Sequence, residues 1–164
     1  MCPIYLVDYA IISSPAAVLI LRDAVAAGKA EVGVQLHPWV NPPLEEDVTE
    51  YNSFAGNLPE ELERAKFRNL RDAIEREIGA PPLIYRAGRY GVGPNTARIL
   101  SEGGIAIDSS VRARFDYSST GGPNFRDLPI TPWWIDRNAG LMELPLTTVY
   151  WGLLRQLGPM LYAR

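Results

Sequence analysis

Four short apolar runs, each ending in a polar residue and separated by helix-type patterns, constrain this chain more than any other feature. Pro3 to Val7 ends at Asp8, Glu31 to Leu36 at His37, Leu83 to Tyr85 at Arg86, and Ile105 to Ile107 at Asp108. Runs of this length, bounded by turn residues, read as buried strands. Ser13 or Ser14 caps a helix that opens at Pro15 and stops at Gly28. A second helix has Asn57 as a cap, Pro59 near its first turn, and Glu60, Glu61 and Glu63 at its positive end. Its apolar face is Leu62, Leu70, Ala73, Ile74 and Ile78, and Gly79 with Pro81-Pro82 ends it. Thr96 to Glu102 reads as a third helix, capped by Asn95. Arg112 to Asn138 reads mostly as an aromatic-rich loop, Leu141 to Leu144 as a fifth strand, and Thr148 to Leu161 as a last helix broken near Gly158-Pro159.

The order β-α-β-α-β-α-β-loop-β-α predicts an α/β fold of parallel strands with right-handed crossovers. Strand ends then share one face, where active sites of such folds occur. The chain has 164 residues, 47% of them hydrophobic, enough for one domain over 1–164. Five strands are too few for an eightfold barrel, which needs about 250 residues. The sheet is therefore open, or the chain is part of a barrel. Fourteen Gly and 14 Pro imply many turns and exclude a helical bundle.

Charge and composition exclude several functions. Lys plus Arg is 16 against 19 for Asp plus Glu, a net charge of -3, so nucleic acid is not an expected partner. No stretch of about 18 uncharged apolar residues predicts a membrane span. The apolar N-terminus carries Asp8 and no positive leader, so it reads as strand and helix, and a cytoplasmic location is the default expectation. One Cys and one His exclude, within this chain, a disulfide framework, a multi-cysteine zinc site and a several-histidine triad.

His37 follows its strand directly and is followed by Pro38 and Trp39. A neutral imidazole there can ligate a metal or serve as a hydrogen-bonded scaffold. Asp8 is a candidate second ligand, but a catalytic zinc normally takes three. Arg86-Ala-Gly-Arg89-Tyr90-Gly91 can clamp a carboxylate with two guanidiniums, or be a solvated turn. Its glycines do not fit a dinucleotide fingerprint. Asp108 can orient an arginine or cap a turn. The Ser109-Ser110 pair matches no nucleophile elbow. Tyr117, Phe125, Trp133 and Trp134 can stack on a sugar or pack their own loop.

These segments together resemble the polysaccharide deacetylase (NodB-homology) family, in its bacterial branch labelled WalW. The resemblance rests on EVGVQLHPWVNPP, NSFAGNLPEELERAKFRNL, YRAGRYGVGPNTARIL, GIAIDSSVRARFDY and ELPLTTVYWGLLR, in that order and over most of the chain. It implies a distorted (β/α) barrel that hydrolyses acetyl groups on sugar polymers. A divalent metal, usually zinc, held by an Asp and a pair of His, polarises the acetyl carbonyl and activates water. Another Asp serves as base and a distant His as acid.

The carry-over is partial. Gln35 stands where the family has its first metal-binding His, and His37 matches the second. Arg86 resembles the arginine that holds the catalytic Asp, and Asp108 the acid that supports it. Trp39, Arg89 and Tyr90 line the implied sugar groove. The family's catalytic-Asp motif precedes the strand that Pro3 to Val7 resembles, so Asp8 is not taken as the base. The histidine acid has no counterpart. The expectation is a partial barrel lacking first and last strands, with an acetylated carbohydrate as partner and turnover impaired by truncation and Gln35. Its open sheet edges and exposed apolar face predict self-association. A non-catalytic carbohydrate-binding or scaffold module is the alternative, and a phosphate-handling domain using Arg86 and Arg89 a third.

Overall fold

Each apolar run in the sequence becomes a strand, and the first four strands assemble in chain order. A computed structural model describes residues 2–161. Its strands are β1 (Ile4–Val7), β2 (Glu31–Leu36), β3 (Ile84–Ala87), β4 (Ile107–Asp108), β5 (Trp133–Asp136) and β6 (Leu141–Glu143). Its α-helices are α1 (Tyr9–Ile12), α2 (Pro15–Ala26), α3 (Glu60–Ile78), α4 (Thr96–Glu102) and α5 (Gly158–Leu161). The sheet order is β1-β2-β3-β4-β6-β5. All pairings are parallel except β5 on β6, which is antiparallel.

Register puts Val7, Val34, Tyr85, Asp108 and Glu143 in one row across the sheet. Val7, Val34 and Tyr85 belong to the main core with Phe67, Leu70, Ala73 and Ile74 of α3, so this row faces the helices. Each such buried side chain contributes roughly 1.5–3 kcal/mol. The alternate row, Leu6, Gly33, Ile84, Ile107 and Met142, faces away from that layer and is half-buried apart from Gly33. A Cβ on Gly33 would come within 2.6 Å of Leu6 Cδ2 and 2.8 Å of the Ile84 carbonyl, so glycine lets its neighbours close over it.

Five local expectations are corrected. Tyr9–Ile12 forms an extra helical turn, because Asp8 Oδ1 accepts from the Ile11 N–H at 3.0 Å. Trp133–Asp136, expected as loop, is a strand. Its aromatic and β-branched residues pair with β6 through a turn in which Asp136 accepts from the Asn138 and Ala139 amides. The expected helix over 148–161 is confined to α5 at its end, after a 3-10 turn at Arg155–Leu157. Thr147, Thr148 and Val149 are poor helix formers, Gly152 takes φ 102°, and Leu146 N–H instead bonds the Val111 carbonyl. Asn57 does not cap α3. Pro59 occupies that position, and Asn57 donates to the Tyr51 and Gly121 carbonyls. The fourth strand is also shifted to Ile107–Asp108.

Candidate active site

The C-terminal ends of β1, β2, β3 and β4 bring Asp8, His37, Arg86 and Asp108 to one edge of the sheet. His37 Nδ1 lies 3.0 Å from Asp8 Oδ2. A carboxylate only accepts, so the ring proton sits on Nδ1 and the lone pair on Nε2. Asp8 uses its other oxygen to cap α1, which holds the carboxylate in place. The His37 ring stacks on Trp39 at 4.8 Å between centroids. Its other neighbour is the backbone of Gly88, where a Cβ would collide with the imidazole and with the Leu36 carbonyl. The glycine of the arginine turn thus lets β3 close against His37. Gln35 lies two residues earlier on the same strand face and is paired in register with Arg86.

Among the described residues Arg86 makes no direct hydrogen bond to Asp108. Its Nε donates to the Ser109 carbonyl and its Nη2 to Ser109 Oγ, both at 3.0 Å. Asp108 is buried and accepts from the Ser110 amide at 3.0 Å and from the Ser110 hydroxyl. Ser110 Oγ accepts in turn from the Ala87 amide at 2.8 Å. Asp108 therefore shapes the turn that Arg86 grips and acts on Arg86 through charge alone. Burial pushes its carboxyl up, against the pull of the serine hydrogen bonds and of Arg86.

Glu143, next to Asp108 in register, is an ionisable neighbour of the candidate site that the sequence reading missed. It is buried, and its Oε1 accepts from the Val111 amide at 2.8 Å. Burial and then the Asp108 charge raise its pKa. A third buried acid, Glu63 on α3, accepts from Thr96 Oγ1 at 2.5 Å, while its Oε2 has no hydrogen-bond partner among the described residues. Burial raises it to about 7. Thr96 Oγ1 also accepts from the Gly93 amide, and Gly93 packs backbone to backbone on Gly56.

Lys66 anchors the loop after His37. It is fully buried, and its Nζ donates to the carbonyls of Pro38 (3.0 Å), Asn41 (2.7 Å) and Pro43 (2.5 Å). It also pairs with Glu46 at 2.9 Å. These partners offset the desolvation of the ammonium.

Arg89 and Tyr90 both adopt positive φ, 53° and 61°. Arg89 lies over the Phe54 ring and bonds Ser53 Oγ and Glu50 Oε1, so it ties its turn to the long loop. Tyr90 stacks on Tyr117 at 5.8 Å. Phe125 is buried with Val111 and Ala113, and Tyr117 and Trp133 pack on that cluster, so this loop is largely held by its own aromatics. Trp134 stays exposed.

The donors present do not fit a three-ligand metal centre. Among the described residues no group of three or more His, Cys, Asp and Glu is placed to hold a metal. Asp8 and His37 are adjacent but spend their facing atoms on each other, and Gln35 adds only an amide. No helix among the described residues is long and apolar enough to cross a membrane.

No protein-family model matches the sequence, and no curated protein matches it. Solved structures do. A Mycobacterium smegmatis protein assigned as a polysaccharide deacetylase is 22% identical with a TM-score of 0.53, over 80% of this chain and 36% of that one. The Puue allantoinase is 23% identical with a TM-score of 0.50, over 81% and 35%. IcaB from Ammonifex degensii is 18% identical with a TM-score of 0.47, over 89% and 51%. The chain spans about a third of the length of the first two structures. With a mostly parallel sheet whose polar strand ends gather at one edge, the chain has, over that span, the fold of the NodB-type deacetylase structures.

Proposed function

We propose that this edge of the sheet is a deacetylase-type carbohydrate site, whose parent reaction is hydrolysis of an acetyl group on a sugar. The observation that carries the reading is the Asp8–His37 pair, stacked on Trp39 and backed by the Gly88 turn beside Arg86. Asp8 fixes the imidazole with its lone pair at Nε2. Arg86 commits Nε and Nη2 to Ser109, which leaves Nη1 to face an anionic oxygen. Trp39 lies against His37 on one side and is exposed, so it offers a flat surface to a sugar ring. Tyr90 and Arg89, on the turn that follows Gly88, are the further sugar-facing residues of this reading. Asp108 keeps the Ser109 turn in position for Arg86.

A divalent metal would supply Lewis acidity in such a site. The described donors do not complete its shell, so turnover in this chain is low. That deficiency favours a second reading, a carbohydrate-binding module without catalysis. Acetate release and glycan binding, measured with and without chelator on acetylated oligosaccharides, separate the two. Both readings predict binding that survives chelator and weakens roughly two- to tenfold in Trp39→Ala. Vigorous acetate release abolished by chelator would overturn the claim of impaired turnover. Absence of any carbohydrate binding would overturn both. Self-association through the β1 edge, where Ile4 and Tyr5 are exposed, belongs to the same reading. A strict monomer by light scattering would contradict it.

A further inference from the structure

Beyond the strand ends lies a cavity of about 670 Å³ that the site residues do not account for. One wall is the aromatic loop with Arg112 and Phe115, and the other is the segment from Leu146 to Gly158. The backbone bond from Leu146 N–H to the Val111 carbonyl, 2.9 Å, fixes where that segment departs from the sheet. Tyr90 lines this cavity, and its own turn begins at Gly88 beside His37. One turn, Gly88 to Tyr90, thus has one end at His37 and the other at this cavity.

Its lining has a definite chemistry. Arg112 and Arg155 contribute two cations, and no Asp or Glu is among the described lining residues. The Arg112 guanidinium stacks 3.6 Å from the Phe115 ring centre and donates to Tyr117 Oη at 3.1 Å, so it is held in place without an acidic partner. Tyr150 and Trp151 add aromatic surface, and Trp151 is 95% exposed. A pre-placed guanidinium without a counter-ion suits an anionic group, and flat rings beside it suit the C–H faces of a sugar. The volume lies within the range of small-molecule sites.

We propose that this cavity binds a sugar bearing an anionic group, with the anion on Arg112 and Arg155 and the ring against Trp151. Resting on the deacetylase-type reading, it narrows the substrate to an acidic carbohydrate such as a uronic-acid oligomer.

The test is titration calorimetry of the full chain with an oligogalacturonide, a neutral N-acetylglucosamine oligomer of equal length, and inorganic phosphate. The uronate should bind at least tenfold more tightly than the neutral oligomer, and more weakly as salt rises. Arg112→Gln should remove most of that preference. Arg112 also packs, so Arg155→Gln, at an exposed position, provides the second variant. It should weaken uronate binding several-fold with an unchanged melting temperature. Equal affinity for both oligomers, or full preference retained in both variants, would overturn the inference. Phosphate competing as well as the uronate would show a bare anion site and would also overturn it. Acetate release is read separately. Uronate preference without turnover leaves this inference standing, whereas turnover on neutral oligomers without that preference sinks it and spares the deacetylase reading.

Discussion

Replacing Glu63 by Gln should make the chain more stable at pH 8 and flatten its dependence on pH. Glu63 is 2% exposed, and one carboxyl oxygen accepts from Thr96 while the other has no described partner. Glu60, on the same helix, adds like charge, and Arg64 opposes it weakly. Tyr85, from the sheet, faces it as a neutral phenol whose own pKa burial drives well up. Burial dominates, so the carboxyl keeps its proton until about pH 7, against an ordinary value of 4.5. In the unfolded chain the proton leaves near 4.5. Between these values the unfolded state binds fewer protons, and stability falls as pH rises. The contribution is whole below about pH 4.5 and lost above about pH 7, a span worth at most about 3 kcal/mol. Gln keeps the acceptor for Thr96 and never ionises. Denaturant titrations from pH 5 to 8.5 should show a falling wild-type curve, a flatter variant curve, and a variant advantage of roughly 1–3 kcal/mol at the alkaline end. Parallel curves would refute the reasoning. The outcome bears on the site, because the Glu63–Thr96–Gly93 chain packs on Gly56, whose amide donates to the Gly91 carbonyl at the end of the arginine turn.

Two further perturbations probe the supports of the site. Lys66→Met should cost about 3 to 5 kcal/mol, since it leaves Glu46 and three carbonyls without their cation. A thermal melt should fall by roughly 10 °C or more, and an unchanged melt would dismiss Lys66 as an anchor. Asp8→Asn should leave the fold intact but loosen the tautomer preference of His37. Nitrogen chemical shifts of the imidazole should move toward a mixture of both tautomers, and unchanged shifts would mean Asp8 does not set the ring.

What the sequence disclosed, and what it hid, divides along physical lines. Asp8, His37, Arg86 and Asp108 were legible because each closes an apolar run, and parallel strands bring such positions to one edge. The long α3 was legible from its stop at Gly79, where φ is 86°. The buried charges were not. Glu63 reads naturally as a helix-start acid, yet it is spaced with Phe67, Leu70 and Ile74 on the covered face. Lys66 stands between Leu62 and Leu70 on the helical period, so the apolar stripe itself marked it. Glu143 alternates with buried Leu141, and that strand pattern was its only signal. How Asp108 acts on Arg86 was not legible, because the carbonyl and hydroxyl that Arg86 bonds belong to Ser109, one residue on. The final helix failed because β-branched residues and Gly152 favour an extended path once Leu146 is tied to Val111.

Zinc stoichiometry decides whether the strand ends form a deacetylase-type site with one metal ligand replaced by Gln35. Wild type, Gln35→His and Gln35→His/His37→Ala would each be equilibrated with one equivalent of zinc and freed of loose metal. The account predicts little retained zinc in the wild type. It predicts at least roughly tenfold tighter binding in Gln35→His, which puts a second imidazole on the strand face of His37, and loss of that gain in the double variant. Tight wild-type binding indifferent to His37, or no gain from Gln35→His, would contradict it.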